Sequence, residues 1–378
     1  MKKITFLVLH LGYGGVEKSI IAQANLLSKK YEVEIISTYK VLPKPAFKLN
    51  EKVKVKYLIK EVPNKEEWKM SLKKGKIFKF IKESFLAIKI LYYRKSKMIK
   101  EIKKIDEGII ISSRLLYTKS LSKYGKSNII KVAEEHCHHN NDNCYISKLK
   151  KACKKIDYLL PPSQSLTNDY LQIFKDTKIK VLYIPLFLEY IPIEKSNLNN
   201  FNITSIGRLE KEKGYFDLID IFYKLNQKDN RFNLKIIGSG SLRKDLTEKV
   251  ISLNLEDKIE LMGYQTNEVI NEVLSNTTLF VMTSFEESFG LVLIEAMSFG
   301  IPCIAFDSAQ GAREIIENNK NGFLIKNRNH NEMIKKIINY FNSDKSNLAK
   351  GALKKVDFYS KKSVEPKWFD FIEKIILN

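Results

Sequence analysis

The sequence predicts an α/β protein made of two Rossmann-like, doubly wound domains. Three observations predict this class. The chain has 378 residues, which is more than one ordinary hydrophobic core holds and therefore favours two domains. Strand-like runs alternate with helix-like runs in both halves, and several strands are continuous apolar runs, as expected where helices cover both faces of a parallel sheet. A composition of 44% hydrophobic and 29% charged residues is typical of a globular protein.

The strand predictions follow the apolar runs in chain order. In the first half they are Ile4–Leu9, Val33–Ser37, Val53–Leu58, Gly108–Ser112, Ile129–Glu134 and Tyr158–Pro161. In the second half they are Phe201–Gly207, Asn233–Gly238, Ile259–Gly263, Leu279–Met282 and Cys303–Phe306. The first run follows two lysines and imitates the start of a signal peptide, but it is too short for one, so a buried strand is the better interpretation. No stretch approaches the roughly 20 apolar residues of a membrane span.

Breaks in periodicity predict the domain boundaries. Ile184-Pro185 and Ile191-Pro192 interrupt the pattern, and the polar segment 195–200 follows them. We therefore predict an N-terminal domain over residues 1–185 and a C-terminal domain over residues 186–362. The last segment, 363–378, is expected to contain a closing helix over Pro366–Leu377 that packs back on the N-terminal domain.

The positive charge is concentrated in the first half of the chain. The net charge is +22, with 40 Lys or Arg against 19 Asp or Glu in residues 1–200, and 25 against 24 in residues 201–378. A lysine-rich composition alone would raise the charge everywhere, so the bias indicates a function for the first half.

The stretch from Lys65 to Lys104 carries 14 basic and 4 acidic residues. Within it, apolar side chains recur at helical spacing and form one stripe: Phe78, Ile81, Phe85, Ile88 and Tyr92. The functional interpretation is a helix that lies on an anionic membrane surface. The alternative is an ordinary amphipathic helix whose stripe packs on the domain.

Four cysteines are present, and none forms a CxxC pair. Reduced thiols in the cytoplasm are the simple interpretation. A metal site formed by Cys137, Cys144 and the neighbouring histidines is an alternative, but the spacing matches no zinc motif. We therefore predict no metal ligand and a cytoplasmic protein, held peripherally at the inner face of the plasma membrane by its basic half.

Three glycine-containing loops each follow a predicted strand: Gly12–Lys18, Ser205–Gly214 and Ile236–Leu242. Glycine lets a backbone approach a ligand closely, and the N–H groups at a helix start favour anions. In the second loop Arg208 and Lys213 can both reach one diphosphate beyond the end of the strand. Taken singly, each loop is also compatible with a plain turn or a solvated basic loop.

The segment Thr283–Gly300 carries the most specific pattern. Two carboxylates, Glu287 and Glu295, are separated by seven residues, the first in a loop and the second inside the following helix. Ser288-Phe289-Gly290 forms the predicted helix start, where backbone amides favour a phosphate. A carboxylate further along the helix can accept hydrogen bonds from a ribose diol.

Together these segments resemble the retaining glycosyltransferase family 4, which has the GT-B fold, two Rossmann-like domains facing a central cleft. The resemblance covers nearly the whole chain and is strongest over residues 201–325. It rests on four elements in the family's order and spacing: Gly14-Gly15-Val16-Glu17, the segment from Gly207-Arg208 to Lys213-Gly214, Gly238-Ser239-Gly240, and the pair Glu287 and Glu295. Where family members often have Asn-Pro at the linker, this chain has Ile184-Pro185.

The resemblance implies roles for the matched positions. Arg208 and Lys213 would hold the donor diphosphate and stabilise the leaving group. Glu295 would bind the nucleotide ribose, Glu287 would lie near the donor sugar and Tyr264 near the base. The other implied positions border the donor: Gly15, Gly207, Gly238, Phe289, Gly290, Leu291 and, as the active-site histidine, His136. For His136 an ordinary structural histidine is the alternative.

The implied mechanism is electrostatic. Breaking the anomeric bond leaves negative charge on the nucleoside diphosphate, which two cations and a helix N-terminus stabilise without reorganisation. The chain contains no Asp-x-Asp segment of the kind that holds a divalent ion in transferases of the other common fold. We therefore expect no metal and no cofactor beyond the nucleotide-sugar donor, most simply a UDP-sugar.

The predicted function is transfer of a hexosyl group to a cell-surface glycan or a lipid-linked acceptor. The expected partners are the donor, this acceptor and an anionic membrane surface, and no nucleic acid. One alternative is a basic nucleic-acid-binding protein, favoured by the pI of about 9.5 but lacking any recognisable module. Another is a sugar-nucleotide epimerase or a phosphorylase on the same fold, although the cofactor lysine of a phosphorylase is not identifiable.

Overall fold

A computed structural model describes residues 3–62, 68, 70–72 and 76–377. The chain divides into two units by its internal contacts. The first contains Met1–Ile184 and Lys367–Asn378, and the second contains Pro185–Pro366.

The first unit is built on a seven-stranded parallel sheet in the order β3-β2-β1-β4-β5-β6-β7. Its strands are β1 (Lys3–Val8), β2 (Glu32–Tyr39), β3 (Lys54–Ile59), β4 (Ile109–Ser112), β5 (Ile130–Glu134), β6 (Tyr158–Leu160) and β7 (Lys180–Val181). Its helices are α1 (Gly15–Leu27), α2 (Ile77–Lys104), α3 (Leu115–Tyr124), α4 (Asn143–Ala152) and α5 (Gln164–Ile173). The central strands are buried because helices cover them, as their mainly apolar sequences predict.

The second unit is built on a six-stranded parallel sheet in the order β10-β9-β8-β11-β12-β13. Its strands are β8 (Asn202–Ile206), β9 (Asn233–Ile237), β10 (Ile259–Gly263), β11 (Leu279–Met282), β12 (Cys303–Phe306) and β13 (Gly322–Ile325). Its helices are α6 (Tyr215–Lys228), α7 (Arg243–Ser252), α8 (Asn267–Ser275), α9 (Leu291–Ser298), α10 (Gln310–Ile315), α11 (His330–Phe341) and α12 (Ser346–Phe358). Short 3-10 turns occupy Lys211–Lys213 and Lys326–Arg328.

Two doubly wound parallel sheets confirm the predicted α/β class. Every predicted strand is present within a residue or two of its expected bounds. The sequence does not predict the strands β7 and β13. β7 has only two residues, and in β13 only three apolar residues follow Gly322, so neither is long enough to show the hydrophobic periodicity of a strand.

The last helix, α13, spans Lys361–Leu377 and crosses the boundary between the units at Pro366. The predicted start at Pro366 is therefore wrong by five residues. Within the first unit, the ring of Phe371 contacts Tyr158 at a centroid distance of 5.3 Å, and Glu373 forms an ion pair of 3.2 Å with Lys30.

The strand order fixes where loops converge in each unit. In both sheets the direction of winding reverses between the first strand and a neighbour, at β1/β4 and at β8/β11. Ligands of open α/β sheets bind beyond the carboxyl ends of the strands at such a reversal. The loops after β8 and β11 carry the charged residues that the sequence singled out.

The basic segment forms α2, although residues 65–67, 69 and 73–75 of the predicted stretch lie outside the described residues. Among the described residues its apolar stripe faces solvent and does not pack on the domain, whereas Ile90, Met98 and Ile102 of the same helix are buried and do pack there. Among the described residues, no helix has both the length and the apolar character to cross a membrane.

Candidate active site

The loops that follow β8 and β11 are joined by hydrogen bonds. The backbone N–H of Phe285 donates to the carbonyl of Glu212 at 2.8 Å, and the Thr283 hydroxyl donates to the carbonyl of Gly214 at 2.9 Å. Gly214 has φ +66°, and a side chain there would collide with the Thr283 carbonyl. Two segments that are about 70 residues apart in the chain therefore form one surface at the strand reversal.

Two cations and two carboxylates occupy this surface. The Lys213 Nζ lies 2.5 Å from the Glu287 Oε2, and less than a fifth of either side chain is exposed. Arg208 forms an ion pair of 2.8 Å with Glu212, and both are more exposed to solvent. Lys213 is thus held in a fixed position, whereas the guanidinium of Arg208 is accessible to an anion that displaces Glu212.

The N-terminus of α9 closes the same surface. Gly290 caps the helix with φ +91°, a conformation that favours glycine, and the buried Phe289 packs its ring on Tyr359 at 5.3 Å. The first N–H groups of a helix have no intrahelical partner, so Leu291 and its neighbours present donors and the positive end of the helix dipole. Glu295 lies on the half-exposed side of an otherwise buried helix.

The glycines after β8 and β9 serve close backbone packing. A side chain at Gly238 would collide with the carbonyl of Gly207, and the Gly207 N–H donates to the Ile237 carbonyl at 2.9 Å. These glycines therefore bring two strand ends together, and a ligand contact is not needed to explain them. Tyr264, directly after β10, is half-exposed beside this pair of strands.

Arg328 was not found by the sequence argument. It donates to the carbonyls of Thr283 and Ser284 at 2.9 and 3.1 Å, and it pairs with Asp217. Its guanidinium also lies 3.6 Å from the centroid of the Phe285 ring. Arg328 thus fixes the loop that precedes Glu287. It follows β13, which was itself missed, and no local motif marks it.

A second polar cluster lies at the strand reversal of the first unit. Arg114, after β4, forms an ion pair of 3.0 Å with the buried Glu17 of α1, and His10, after β1, lies 3.7 Å from the same carboxylate. Burial lowers the pKa of the His10 imidazole, an effect that Glu17 opposes and Arg114 reinforces. A Cβ added at Gly15 would meet no atom within 4 Å. The sequence indicated the glycine loop, but not His10 or Arg114.

His136 follows β5 and is largely buried. Its Nε2 lies 3.2 Å from the Glu134 Oε2, and only 9% of its side chain is exposed. The neighbouring Glu135 accepts the Cys137 N–H at 2.8 Å, and burial raises the pKa of the Glu135 carboxyl. The histidine predicted for the active site is therefore held by a carboxylate at the end of a strand.

The metal alternative can be compared with the side chains present. Cys137 and Cys144 are exposed, and the cluster that the described residues offer is instead His138, His139 and Asp169. The Nδ1 atoms of the two histidines accept backbone N–H groups at 2.8 and 3.1 Å. The His138 Nδ1 also lies 2.7 Å from the Asn140 Oδ1, and the His139 Nε2 lies 3.4 Å from the Asp169 Oδ2. Polar groups of the chain itself therefore engage both imidazoles.

The chain resembles known proteins, and the family match falls within the second unit. Residues 188–354 match the family model described as Glycosyl transferases group 1. An uncharacterized glycosyltransferase of Haemophilus influenzae is 30% identical over 347 residues, which cover 89% of each chain. The protein belongs to the group 1 glycosyl transferases. The transferase is also 27% identical, over 91% of its length and 92% of the relative, to a Campylobacter jejuni enzyme named N-acetylgalactosamine-N,N'-diacetylbacillosaminyl-diphospho-undecaprenol 4-alpha-N-acetylgalactosaminyltransferase.

Solved structures confirm that the transferase has the GT-B fold. A mutant of Staphylococcus aureus TarM, in complex with fondaparinux, α-GlcNAc-glycerol and UDP, gives a TM-score of 0.79 at 18% identity, covering 98% of this chain and 100% of that chain. Anabaena HepE in complex with UDP and glucose gives 0.73 at 17% identity, covering 99% and 100%.

Proposed function

We propose that this glycosyltransferase moves a hexosyl group from a UDP-sugar to a glycan or lipid-linked acceptor with retention of anomeric configuration. The observation that carries the proposal is the joined surface of the β8 and β11 loops. There Lys213, Arg208 and the N-terminus of α9 offer positive charge at the strand reversal, where ligands of this architecture bind.

In this proposal each charged or polar group of the donor site has one task. Lys213 and Arg208 stabilise the charge that develops on the departing diphosphate. The amides of Phe289, Gly290 and Leu291 bind phosphate and sugar oxygens at the positive end of α9. Glu295 accepts hydrogen bonds from the ribose hydroxyls. Lys213 and the N-terminus of α9 are fixed by the fold before the reaction, which is the condition under which electrostatic stabilisation is most effective. Arg208 joins them once the diphosphate displaces Glu212.

The positions beside these groups shape the rest of the donor site. Glu287 orients Lys213 and faces the sugar, and Tyr264 lies beside the base. Gly207 and Gly238 bring their two loops close together. This assignment needs no metal and no cofactor, because the two cations and the helix N-terminus supply the charge that a divalent ion would otherwise provide. The lack of an Asp-x-Asp segment in the sequence is consistent with it.

The first unit contributes the acceptor side in this proposal. Gly15 has open space around its Cα, and the proposal assigns it to the diphosphate. The Glu134 carboxylate holds His136, which the proposal assigns to the reacting sugar. Arg114 and His10 provide polar groups for the acceptor at the strand reversal. Retention then follows from attack of the acceptor on the face of the sugar that the diphosphate leaves.

The proposed classes of donor and acceptor are supported by the proteins that this chain resembles. Structures with the same fold have been solved with UDP, which supports a uridine nucleotide. The name of the Campylobacter jejuni relative gives it a diphospho-undecaprenol acceptor, which supports a lipid-linked acceptor in glycan biosynthesis. A lipid acceptor requires the enzyme at the inner face of the membrane, and the net charge of +21 in residues 1–200 favours peripheral attachment to anionic lipid.

The test is thermal stabilisation of the purified protein by nucleotides and nucleotide sugars, with and without EDTA. A ligand that binds only the folded protein raises Tm, so we expect a shift with UDP and one UDP-sugar that EDTA does not remove. Glu295→Ala should reduce the UDP shift, whereas Glu248→Ala, on the exposed side of α7, should not. A shift with nucleic acid and none with any nucleotide would contradict the proposal. NMR of the product's anomeric proton then tests retention.

A further inference from the structure

The first four turns of α2 present an apolar stripe to solvent. Large side chains at spacings of three, four and seven residues lie far more in solvent than is usual for their type. The exposed fractions are 67% for Ile77, 91% for Phe78, 45% for Ile81, 70% for Phe85, 65% for Ile88 and 68% for Tyr92. At 100° per residue these six positions fall within an arc of about 100° on one side of the helix.

From Ile90 onward, α2 is anchored on the first unit by buried side chains. Met98 and Ile102 are buried in a core cluster of that unit, and Ile90 packs with Tyr39 and Ile59. At the same end the Lys97 Nζ donates to the Leu58 carbonyl at 2.9 Å. The rotation of the helix about its own axis is therefore fixed, and its apolar stripe is held outward.

The charges beside the stripe are positive. The helix contains nine Lys or Arg and two acidic residues. Of the acids, Glu101 is engaged by Lys56 and Lys104 at 2.5 and 2.9 Å, which leaves Glu83 as the only other negative group on the helix. Lys82 and Lys89 lie next to the stripe on the exposed part of the helix, and Lys79 is exposed further round it. An apolar side bordered by lysines is the composition of a helix that lies in a lipid interface.

These observations discriminate between possible occupants. A second copy of the chain would place two strongly basic helices side by side, where like charges repel. An anionic bilayer meets both features, because acyl chains accept the apolar side chains and phosphate headgroups attract the lysines.

We propose that α2 lies in the plane of an anionic membrane, with Phe78, Phe85 and Tyr92 inserted at the level of the headgroups and lysines paired with lipid phosphates. The proposal rests on the lipid-linked acceptor of the proposed function and specifies the surface that meets the membrane. Insertion by aromatic side chains distinguishes it from general attraction by a basic domain, because it requires one defined side of one helix.

The experiment measures co-sedimentation of the full chain with vesicles of phosphatidylcholine alone and of phosphatidylcholine mixed with phosphatidylglycerol. Binding should require the anionic lipid and weaken with salt. Phe78→Ser with Phe85→Ser should weaken binding at least tenfold while all lysines remain. The matched control is Ile193→Ser with Ile251→Ser, two exposed apolar residues of the second unit, which should bind as the wild type does.

A second set of variants separates charge from insertion. Lys79→Glu, Lys82→Glu and Lys89→Glu together should abolish binding, since each basic residue near the surface contributes a factor of about five. Lys224→Glu, Lys228→Glu and Lys335→Glu, exposed lysines of the second unit, are the matched control and should retain most of it. Phe85→Trp should show blue-shifted emission and quenching by brominated lipid only with anionic vesicles.

The outcomes are distinct from those of the donor-site test. All stripe variants should keep the wild-type thermal shift with UDP. A variant that loses only vesicle binding therefore tests the role of α2, whereas absence of the UDP shift in every protein, wild type included, would count against the proposed function. Unchanged vesicle binding in the Phe78→Ser, Phe85→Ser variant would overturn the membrane proposal. So would a wild-type dimer in light scattering that this variant converts to a monomer, which would assign the stripe to a second copy.

Discussion

Lys213 and Lys211 occupy the same 3-10 turn but differ in surroundings. Lys213 is largely buried and lies 2.5 Å from Glu287, whereas Lys211 is exposed. The contact with Glu287 holds the ammonium of Lys213 at the strand reversal, and only a charge held in position can act fully on a developing negative charge. A comparison of Lys213 with Lys211 therefore separates the effect of a cation held in position from that of a solvated cation.

Replacing Lys213 by methionine should lower kcat by about 100-fold or more, since removal of one placed electrostatic group from an active site costs on this order. Lys211→Met changes the same charge in the same turn and should leave kcat nearly unchanged. Steady-state release of UDP measures both variants. Equal losses would indicate that general positive charge, and not the placement of Lys213, is what matters.

Gly15 offers a test of ligand approach that leaves the fold intact. A Cβ at this position meets no atom within 4 Å, and alanine favours a helix over glycine by up to about 1 kcal/mol, so Gly15→Ala should not lower Tm. If the backbone borders the diphosphate, the added methyl should raise KM for the donor about tenfold, which corresponds to about 1.4 kcal/mol. Gly311→Ala is the counterpart: its side chain would collide with the Phe289 carbonyl and should lower Tm. A normal KM in the Gly15 variant would remove this loop from the donor site.

At the scale of elements, the loop after β11 depends on a single side chain from a distant segment. Arg328 binds two carbonyls of that loop, and its guanidinium lies over the Phe285 and Phe306 rings. Truncation removes both hydrogen bonds and leaves the Ser284 carbonyl, among the described residues, with only the Ser308 hydroxyl as a side-chain donor. Each lost hydrogen bond to a charged group costs about 1.5–3 kcal/mol.

Arg328→Ala should therefore lower the free energy of unfolding by at least about 2 kcal/mol and weaken UDP binding, because Glu287 and α9 follow this loop. Arg231 is the control: it also pairs with an aspartate and lies over a phenylalanine ring, but on the exposed surface. Arg231→Ala should change stability little and UDP affinity not at all. Urea unfolding and calorimetric titration with UDP measure the two effects. A stable Arg328 variant with normal UDP affinity would contradict this role.

Elements were predictable from sequence where the signal is local. The apolar runs of β1, β4 and β11 specify buried strands, and the alternation with helices specifies the doubly wound sheets. The joined surface of Lys213 and Glu287 was predictable in outline, because carboxyl ends of neighbouring parallel strands meet. Arg328 and Arg114 were not, since each acts through a tertiary contact with a segment far away in the chain. The direction in which the α2 stripe faces was also open, because periodicity defines a side of a helix but not its neighbour.

At the scale of the whole molecule, charge and cores are divided between the units. Nearly all of the net charge belongs to residues 1–200, whereas the second unit has two large apolar clusters of its own, one containing Phe222 and the other Ile294. A unit that buries its own core can fold without the rest of the chain.

Residues 185–366 expressed alone should therefore unfold cooperatively and bind UDP with an affinity within about tenfold, or 1.4 kcal/mol, of the whole protein. The fragment should transfer no sugar, because His136 and Gly15 lie outside it. Circular dichroism and calorimetric titration measure folding and binding. A folded fragment without UDP affinity would place essential donor contacts in the first unit.

The carboxylates beside the two site cations have a consequence for selectivity in the cell. Glu212 acts as a built-in counter-ion of Arg208, so an anion that binds Arg208 must displace it, whereas Glu287 keeps Lys213 in place. A small monovalent ion, or a single free phosphate, gains too little to displace a partner that the chain itself supplies. Under the proposed function, a nucleoside diphosphate would engage both cations and the helix amides at once, and its multiple charges would make the exchange favourable. The arrangement would let the enzyme ignore abundant inorganic anions while still accepting its donor at low concentration.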